Sequence, residues 1–305
     1  MRLSSLLPFA VAAIVLILAF TINAPGITGV RIAADSTPTA QIAADSIPTA
    51  QIAEFSSPAK VIVLGDSFSI GCCAPIEKTW PSMFAARLEA DLANVARGGE
   101  TSESLIHTPY TWPSGRTQSQ FNEALSLLAE SDNIVAVTLA IGINDLFAPR
   151  DPNTGESCFV SETSACRELI EAAFLTYQAN LHFVVGELRS ATDPGTPLLM
   201  MSNYFGSPDW RLNRIIQSEI NHHEAIPVPA SKCFRETSEQ LLVSDGIHTS
   251  EAGHRVIADL HTNAFPPDTD GDGLSDLMEG VLNTNPFLQD SNRDECLNAA
   301  EFGAD

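Results

Sequence analysis

The chain has 305 residues, 44% of them hydrophobic, and a formal net charge of −22. That apolar content supports one domain of about 200 residues with appendages and excludes global disorder. The charge excludes nucleic acid and anionic membrane surfaces as partners, because both would repel it.

Arg2 and the apolar run from Leu6 to Phe20, interrupted only by Pro8, form a positive n-region and an h-region. The run is short for a membrane span of about 20 residues, so residues 1–24 are expected to be a signal peptide, with an uncleaved anchor as the alternative. Either places the remainder outside the cytoplasm. Residues 31–60 repeat a decapeptide, RIAADSTPTA, QIAADSIPTA and QIAEFSSPAK. These copies are too short and too weakly apolar to stack, so residues 25–58 are expected to be a flexible tether. Cys72, Cys73, Cys158, Cys166, Cys233 and Cys296 suit an oxidising compartment. Cys158 and Cys166 share a polar loop and make the expected local bridge. The adjacent Cys72 and Cys73 are expected to bond elsewhere, or to leave one thiol free.

Order is expected from Lys60. Val61-Ile62-Val63-Leu64 reads as a buried parallel strand ending on Gly65. Trp80, Phe84, Leu88 and Leu92 share one helical face, and Asn94-Val95-Ala96 reads as a second strand. Phe121 to Leu128 reads as a helix and Ile134 to Ile141 as a long strand. A helix over Cys166 to Arg189 follows, then strands at Leu198 to Met201 and Ile226 to Val228, and a closing helix from Glu251 to His261. This alternation predicts an α/β domain with a mainly parallel sheet covered on both faces. Ligands of such sheets bind beyond the carboxyl ends of the strands. Gly65-Asp66-Ser67, Gly98-Gly99 and Gly142-Ile143-Asn144-Asp145 each follow a strand and should gather at one rim.

A serine hydroxyl is a weak nucleophile until a base takes its proton and a third group holds that base in one tautomer. Ser67 follows the first strand, and Asp245-Gly246-Ile247-His248 stands near the end of the domain. An Asp and His at that spacing can share one helical turn, so that His248 reaches Ser67 with Asp245 behind it. The oxyanion of a tetrahedral intermediate needs donors. The Ser67 and Gly99 backbone N–H groups and the Asn144 amide fit. His254 is the rival base but has no Asp three residues before it. His222-His223 reads as a solvated helix end, with metal binding as the alternative. Cys72 and Cys73 lack a local His or cation and read as structural.

In this order, the blocks Gly65-Asp66-Ser67, Gly99 within GGETS, Gly142-x-Asn144-Asp145 and Asp245-x-x-His248 resemble the SGNH or GDSL hydrolases over residues 59–265. The resemblance implies a flavodoxin-like three-layer α/β/α sandwich acting on esters or thioesters. It also implies Ser67 as nucleophile, Asp245 and His248 as the rest of a triad, and Gly99 and Asn144 as oxyanion donors. The α/β-hydrolase elbow, Gly-x-Ser-x-Gly, is excluded because Ser69 stands where its last Gly belongs.

Acids crowd between Asp268 and Asp305 against a single Arg293, a placement that suggests cation binding. DTDGDGLSDLME at 268–279 has EF-hand spacing: Asp268, Asp270, Asp272, the Leu274 carbonyl, Asp276 and Glu279, with Gly273 at the turn. A second loop, DSNRDECLNAAE, places Asp290, Asn292, Asp294, Cys296, Asn298 and Glu301 at the same positions, but Glu295 replaces the turn glycine. Residues 266–305 thus resemble thrombospondin type 3 and dockerin calcium-binding repeats, implying structural Ca²⁺ and, for a dockerin role, a cell-surface or scaffold partner. The combined expectation is a secreted esterase or lipase acting on a small-molecule, lipid or glycan ester, with no cofactor in the chemistry. A carbohydrate O-deacetylase and a non-catalytic, calcium-organised surface protein are the alternatives.

Overall fold

Val61, Ile62, Val63 and Leu64 are all fully buried, which a strand achieves only with both faces covered. This strand lies inside the main sheet of the computed structural model, which describes residues 58–204, 209–289 and 291. The expected leader and most of the tether, together with Asp290, Asn292, Asp294, Cys296, Asn298 and Glu301, lie outside the described residues.

The elements run β1 (Lys60–Gly65), α1 (Ser67–Ile70), α2 (Trp80–Arg87), β2 (Asp91–Asn94), α3 (Ser102–His107), β3 (Pro109–Thr111) and β4 (Thr117–Ser119). Then come α4 (Gln120–Glu130), β5 (Ile134–Ala140), α5 (Ile143–Phe147), α6 (Ser164–Ala191), β6 (Leu198–Met201) and α7 (Asp209–His223). β7 (Ile226–Val228), α8 (Ala230–Leu241), α9 (Glu251–Ala264) and α10 (Asp276–Leu282) complete the described chain. The main sheet is wholly parallel, in the order β2-β1-β5-β6-β7, while β3 and β4 form a separate antiparallel hairpin. Helices α2 and α9 pack together with α8 against α9, and α4, α6 and α7 pack in series. Right-handed crossovers put these two sets on opposite faces. This is the expected three-layer α/β architecture.

From β1 the chain turns outward to β2, whereas from β5 it proceeds to β6 and β7. The crevice beyond the carboxyl ends of β1 and β5 is therefore the topological switch point. Those ends approach closely. A Cβ on Gly65 would lie 2.0 Å from the Ala140 carbonyl oxygen, and Gly65 has a φ of +135° that disfavours other residues. Buried Gln120, at the start of α4, clamps the junction: its Oε1 accepts from Gly65 N at 2.6 Å and its Nε2 donates to Gly65 O at 3.0 Å.

The apolar repeat at Trp80, Phe84, Leu88 and Leu92 does not make one helix. Leu88 caps α2 and Glu89 has a φ of +50°, so the chain reverses and Leu92 enters β2, which runs earlier than the expected Asn94–Ala96. Helices α7 and α8 lie outside the elements expected from periodicity. In α7, Leu212, Ile216 and Ile220 are buried at i, i+4 and i+8 among mostly polar residues. The Cys158–Cys166 bridge forms as expected.

Asp66 caps α1, its Oδ1 accepting from Phe68 N at 3.0 Å, yet its side chain is fully buried and Oδ2 has no hydrogen-bond partner. Burial pushes its carboxyl up from 3.8 to about 7, and Asp145 and Glu100 add to the rise against the Phe68 N–H. Because the folded pKa exceeds the unfolded one, the stabilising contribution is complete below about pH 4 and is lost as pH rises towards 7. Asp66→Asn should therefore flatten the decline in unfolding free energy over that window, by at most about 1.4 kcal/mol per pH unit. Urea denaturation from pH 4 to 8 measures it; an equally steep decline in the variant would exonerate Asp66.

Candidate active site

Ser67 opens α1 directly beyond β1, so its side chain stands at the switch point. His248 Nε2 lies 3.0 Å from Ser67 Oγ, and His248 Nδ1 lies 2.7 Å from Asp245 Oδ2. The His248 side chain above all, with the His248 and Ile247 backbone N–H groups, lowers the Asp245 carboxyl to about 2. An ionised carboxylate can only accept, so Nδ1 carries the imidazole proton and Nε2 is left to accept from the Ser67 hydroxyl.

The sequence suggested a helical turn for Asp245 and His248; the fold uses a loop between α8 and α9 instead. Asp245 Oδ1 accepts from Ile247 N at 2.8 Å and His248 N at 2.9 Å, forming an Asx turn, and Gly246 takes a φ of +68°. Val243 N donates to His248 O, and Leu242 bridges Thr249. The loop therefore has its own small scaffold.

Gly99 and Asn144 face the same cavity as Ser67 and His248, a hollow of about 680 Å³ also lined by Phe68, Ile70, Ile143, Phe147 and Ile247. Gly99 has a φ of +75°, and a Cβ there would meet no protein atom, so its backbone opens onto free space. Asn144 Nδ2 donates one hydrogen to Glu100 O at 3.0 Å, which fixes the amide plane and leaves its second hydrogen uncommitted to that bond.

Several residues outside the expected set hold these groups in place. Asp145, almost fully buried, accepts from Ser102 N at 2.9 Å and Ser102 Oγ at 2.6 Å, joining the segment after β5 to the start of α3. Burial pushes its carboxyl up to about 6, with the Ser102 hydrogen bonds opposing. Asn94 Nδ2 donates to Ser69 O at 2.9 Å, tying β2 to α1. These contacts connect residues distant in sequence, and nothing local announces them except Asp145, adjacent to the expected Asn144.

The rival base is elsewhere. His254 is buried, its Nε2 donating to Cys72 O at 2.9 Å, and burial pushes its pKa down. It is a structural pin under the Ser67 loop. Cys72 and Cys73 do not reach another described cysteine; their sulfurs face each other at 2.7 Å. A His248 ring nitrogen lies within 4.8 Å of both sulfurs, contrary to the expectation of no nearby His, yet burial and then Cys73 push the Cys72 thiol up to about 11, away from a thiolate.

In the acidic segment, the side chains of Asp268, Asp270 and Asp272 each bring an oxygen within 4.8 Å of the others. Asp270 Oδ2 and Asp272 Oδ2 are buried without a hydrogen-bond partner, and the Glu279 side chain is buried beside them at the start of α10. Gly273 takes the left-handed φ of +99° that its turn requires. Asp276 is turned to Thr269, accepting from its backbone N–H and hydroxyl. The segment docks on α9 through Ser275, whose hydroxyl donates to Thr262 O at 2.7 Å.

The model of the GDSL-like Lipase/Acylhydrolase family matches residues 63–256. No curated protein matches the chain. Among solved structures, the α/β hydrolase enzyme LAE5 from the metagenome of Lake Arreo, Spain, is 16% identical at a TM-score of 0.49, covering 69% of this chain and 96% of its own. The acetylxylan esterase Axe2 from Geobacillus stearothermophilus is 17% identical at 0.47, covering 70% and 96%. Phospholipase A1 from Streptomyces albidoflavus NA297 is 17% identical at 0.44, covering 65% and 95%. The family match spans most of the α/β domain, from the strand that carries Ser67 past the loop that carries His248. The chain belongs to the GDSL-like lipase/acylhydrolase family and is a carboxylic ester hydrolase.

Proposed function

We propose that Ser67 is the nucleophile of a secreted esterase or lipase that works through an acyl-enzyme. The observation that carries this reading is the unbroken hydrogen-bond series from Ser67 Oγ through His248 to the ionised Asp245. His248 Nε2 takes the Ser67 proton as Oγ attacks the ester carbonyl carbon. The same proton then passes to the departing alkoxide. Water, deprotonated by His248, attacks the acyl-enzyme and releases the acid and free Ser67. Asp245 holds the imidazole and stabilises the transient imidazolium without taking the proton.

Negative charge develops on the carbonyl oxygen, and the Ser67 and Gly99 N–H groups with the Asn144 amide are its donors. Because the Asn144 amide plane is fixed by Glu100 O before substrate arrives, little reorganisation accompanies the reaction. Phe68, Ile70, Ile143, Phe147 and Ile247 make an apolar lining suited to the hydrocarbon part of an acyl ester. That lining favours esters of longer acyl chains over acetylated polysaccharide. Secretion is supported by the leader-like pattern at 1–24 and by the Cys158–Cys166 disulfide.

Asp268, Asp270, Asp272, the Leu274 carbonyl and Glu279 would hold Ca²⁺, with Asp276, whose oxygens accept from Thr269, acting through water; the ion would supply charge compensation and folding energy to a small segment and take no part in ester cleavage. The buried, unpartnered oxygens of Asp270 and Asp272 are the observation that fits a hard cation. The second loop is proposed from sequence alone.

Ser67→Ala should lower kcat on p-nitrophenyl butyrate and octanoate by about 10⁴-fold or more, and Asn144→Ala by about 10²- to 10³-fold, with circular dichroism unchanged. Equal turnover in wild type and Ser67→Ala would end the serine mechanism. Activity on acetylated xylan with none on either ester would transfer the reading to a deacetylase. Saturating Ca²⁺ should raise Tm, the gain reaching about 2.7 kcal/mol at a hundred times Kd, and Asp272→Asn should abolish it. Turnover at 25 °C should change less than about twofold; loss of turnover on Ca²⁺ removal from a still-folded domain would give the ion a role in the site.

A further inference from the structure

Away from the catalytic rim, α6 and α7 pack side by side and bring three histidines together. His182 comes from α6, and His222 and His223 from the last turn of α7. One ring nitrogen from each lies within 4.8 Å of the others, and the ring centroids are 5.1, 5.1 and 4.6 Å apart. Glu219, one turn earlier on the same face of α7, has a side chain only 6% exposed. Its Oε2 lies 2.8 Å from His182 Nδ1 and 3.4 Å from His223 Nε2. Among the described residues, no Lys or Arg forms an ion pair with this carboxylate.

Two further features mark the cluster. His223 Nε2 is buried and reaches Glu219 Oε2 only at 3.4 Å, the same oxygen that His182 Nδ1 meets at 2.8 Å, so its contact with that acceptor is long and shared. Gly186, one turn after His182 on α6, leaves the space that the His223 ring occupies: a Cβ there would lie 3.2 Å from His223 Cε1. His182 is half exposed, and His222 and His223 border a surface hollow of about 600 Å³, so an ion has a way in.

We propose that His182, His222 and His223 bind a divalent transition ion of the zinc class, with buried Glu219 orienting His182 and compensating the charge. Three imidazoles beside a carboxylate suit zinc and its neighbours, whereas Ca²⁺ and Mg²⁺ take oxygen ligands. Glu219 performs the orienting task that carboxylates perform behind metal-bound histidines. The ion ties α6 to α7. α7 leads into the amino end of β7, so its last turn lies towards the edge of the sheet opposite Ser67, and the site acts on stability and not on ester cleavage.

The test uses the full-length protein, freed of metal and then held in excess Ca²⁺ so that the acidic segment is saturated. Zn²⁺ titrated calorimetrically should bind saturably, and Tm should rise by about 5–10 °C at a hundred times Kd. Co²⁺ should give visible d–d bands without a sulfur-to-metal charge-transfer band. His182→Ala, at an exposed position, and His223→Gln should each weaken Zn²⁺ binding by tenfold or more while the metal-free protein keeps its circular dichroism. The proposal fails if Zn²⁺ does not bind saturably. It fails equally if both histidine variants bind as wild type does while Cys72→Ser abolishes binding, which would place the ion beside the thiols near Ser67 instead.

Discussion

The contact on which the structure turns is the approach of the Ala140 carbonyl to Gly65, where β1 and β5 end side by side. Only a residue without Cβ permits it. That approach puts Ser67, which follows β1, next to Gly142 and Asn144, which follow β5, so nucleophile and amide donor share one crevice. Gly142 has its own restriction: a Cβ there would fall 2.7 Å from the Tyr177 ring, and Tyr177 hydroxyl donates to Ile141 O. The two glycines are packing requirements first. Their catalytic consequence follows from geometry.

Beneath the cavity lies a layer of buried acids, Asp66, Glu100 and Asp145, none of which forms an ion pair among the described residues. Asp66 and Asp145 are both pushed up by burial, whereas the more exposed Asp245 is held down by His248 and neighbouring N–H groups. Carboxylates of one chemical kind are thus separated by environment. Asp66 and Asp145 resist ionisation, and all three serve as hydrogen-bonding joints. The one beside His248 stays charged, as its partner requires.

Much of this was legible in the sequence because catalysis demands particular residue types at strand ends. Gly65-Asp66-Ser67, Gly99, Asn144 and Asp245–His248 all reach one rim, and the main strands run close to where periodicity placed them. What stayed hidden depends on tertiary contact. The apolar spacing of Trp80 to Leu92 suits a helix, but the left-handed Glu89 ends it. Asp245 and His248 satisfy a helical spacing, yet an Asx turn achieves the same proximity without a helix. His222 and His223 read as a solvated helix end because His182, some forty residues earlier, cannot be associated with them without knowing that α6 meets α7.

Ser67 and His248 are separated by 181 residues. The strand leading to the serine is synthesised among the first elements of the domain, and the histidine loop among the last. α9, later still, packs against α2 near the start of the domain and pins the Ser67 loop through His254. Loop closure on this scale carries an entropic cost that only cooperative burial of the core can offset. Hydrolytic competence therefore requires the first and last elements of the domain to be folded together. An unfolded chain, whose serine and histidine are far apart, has no assembled site with which to attack esters around it.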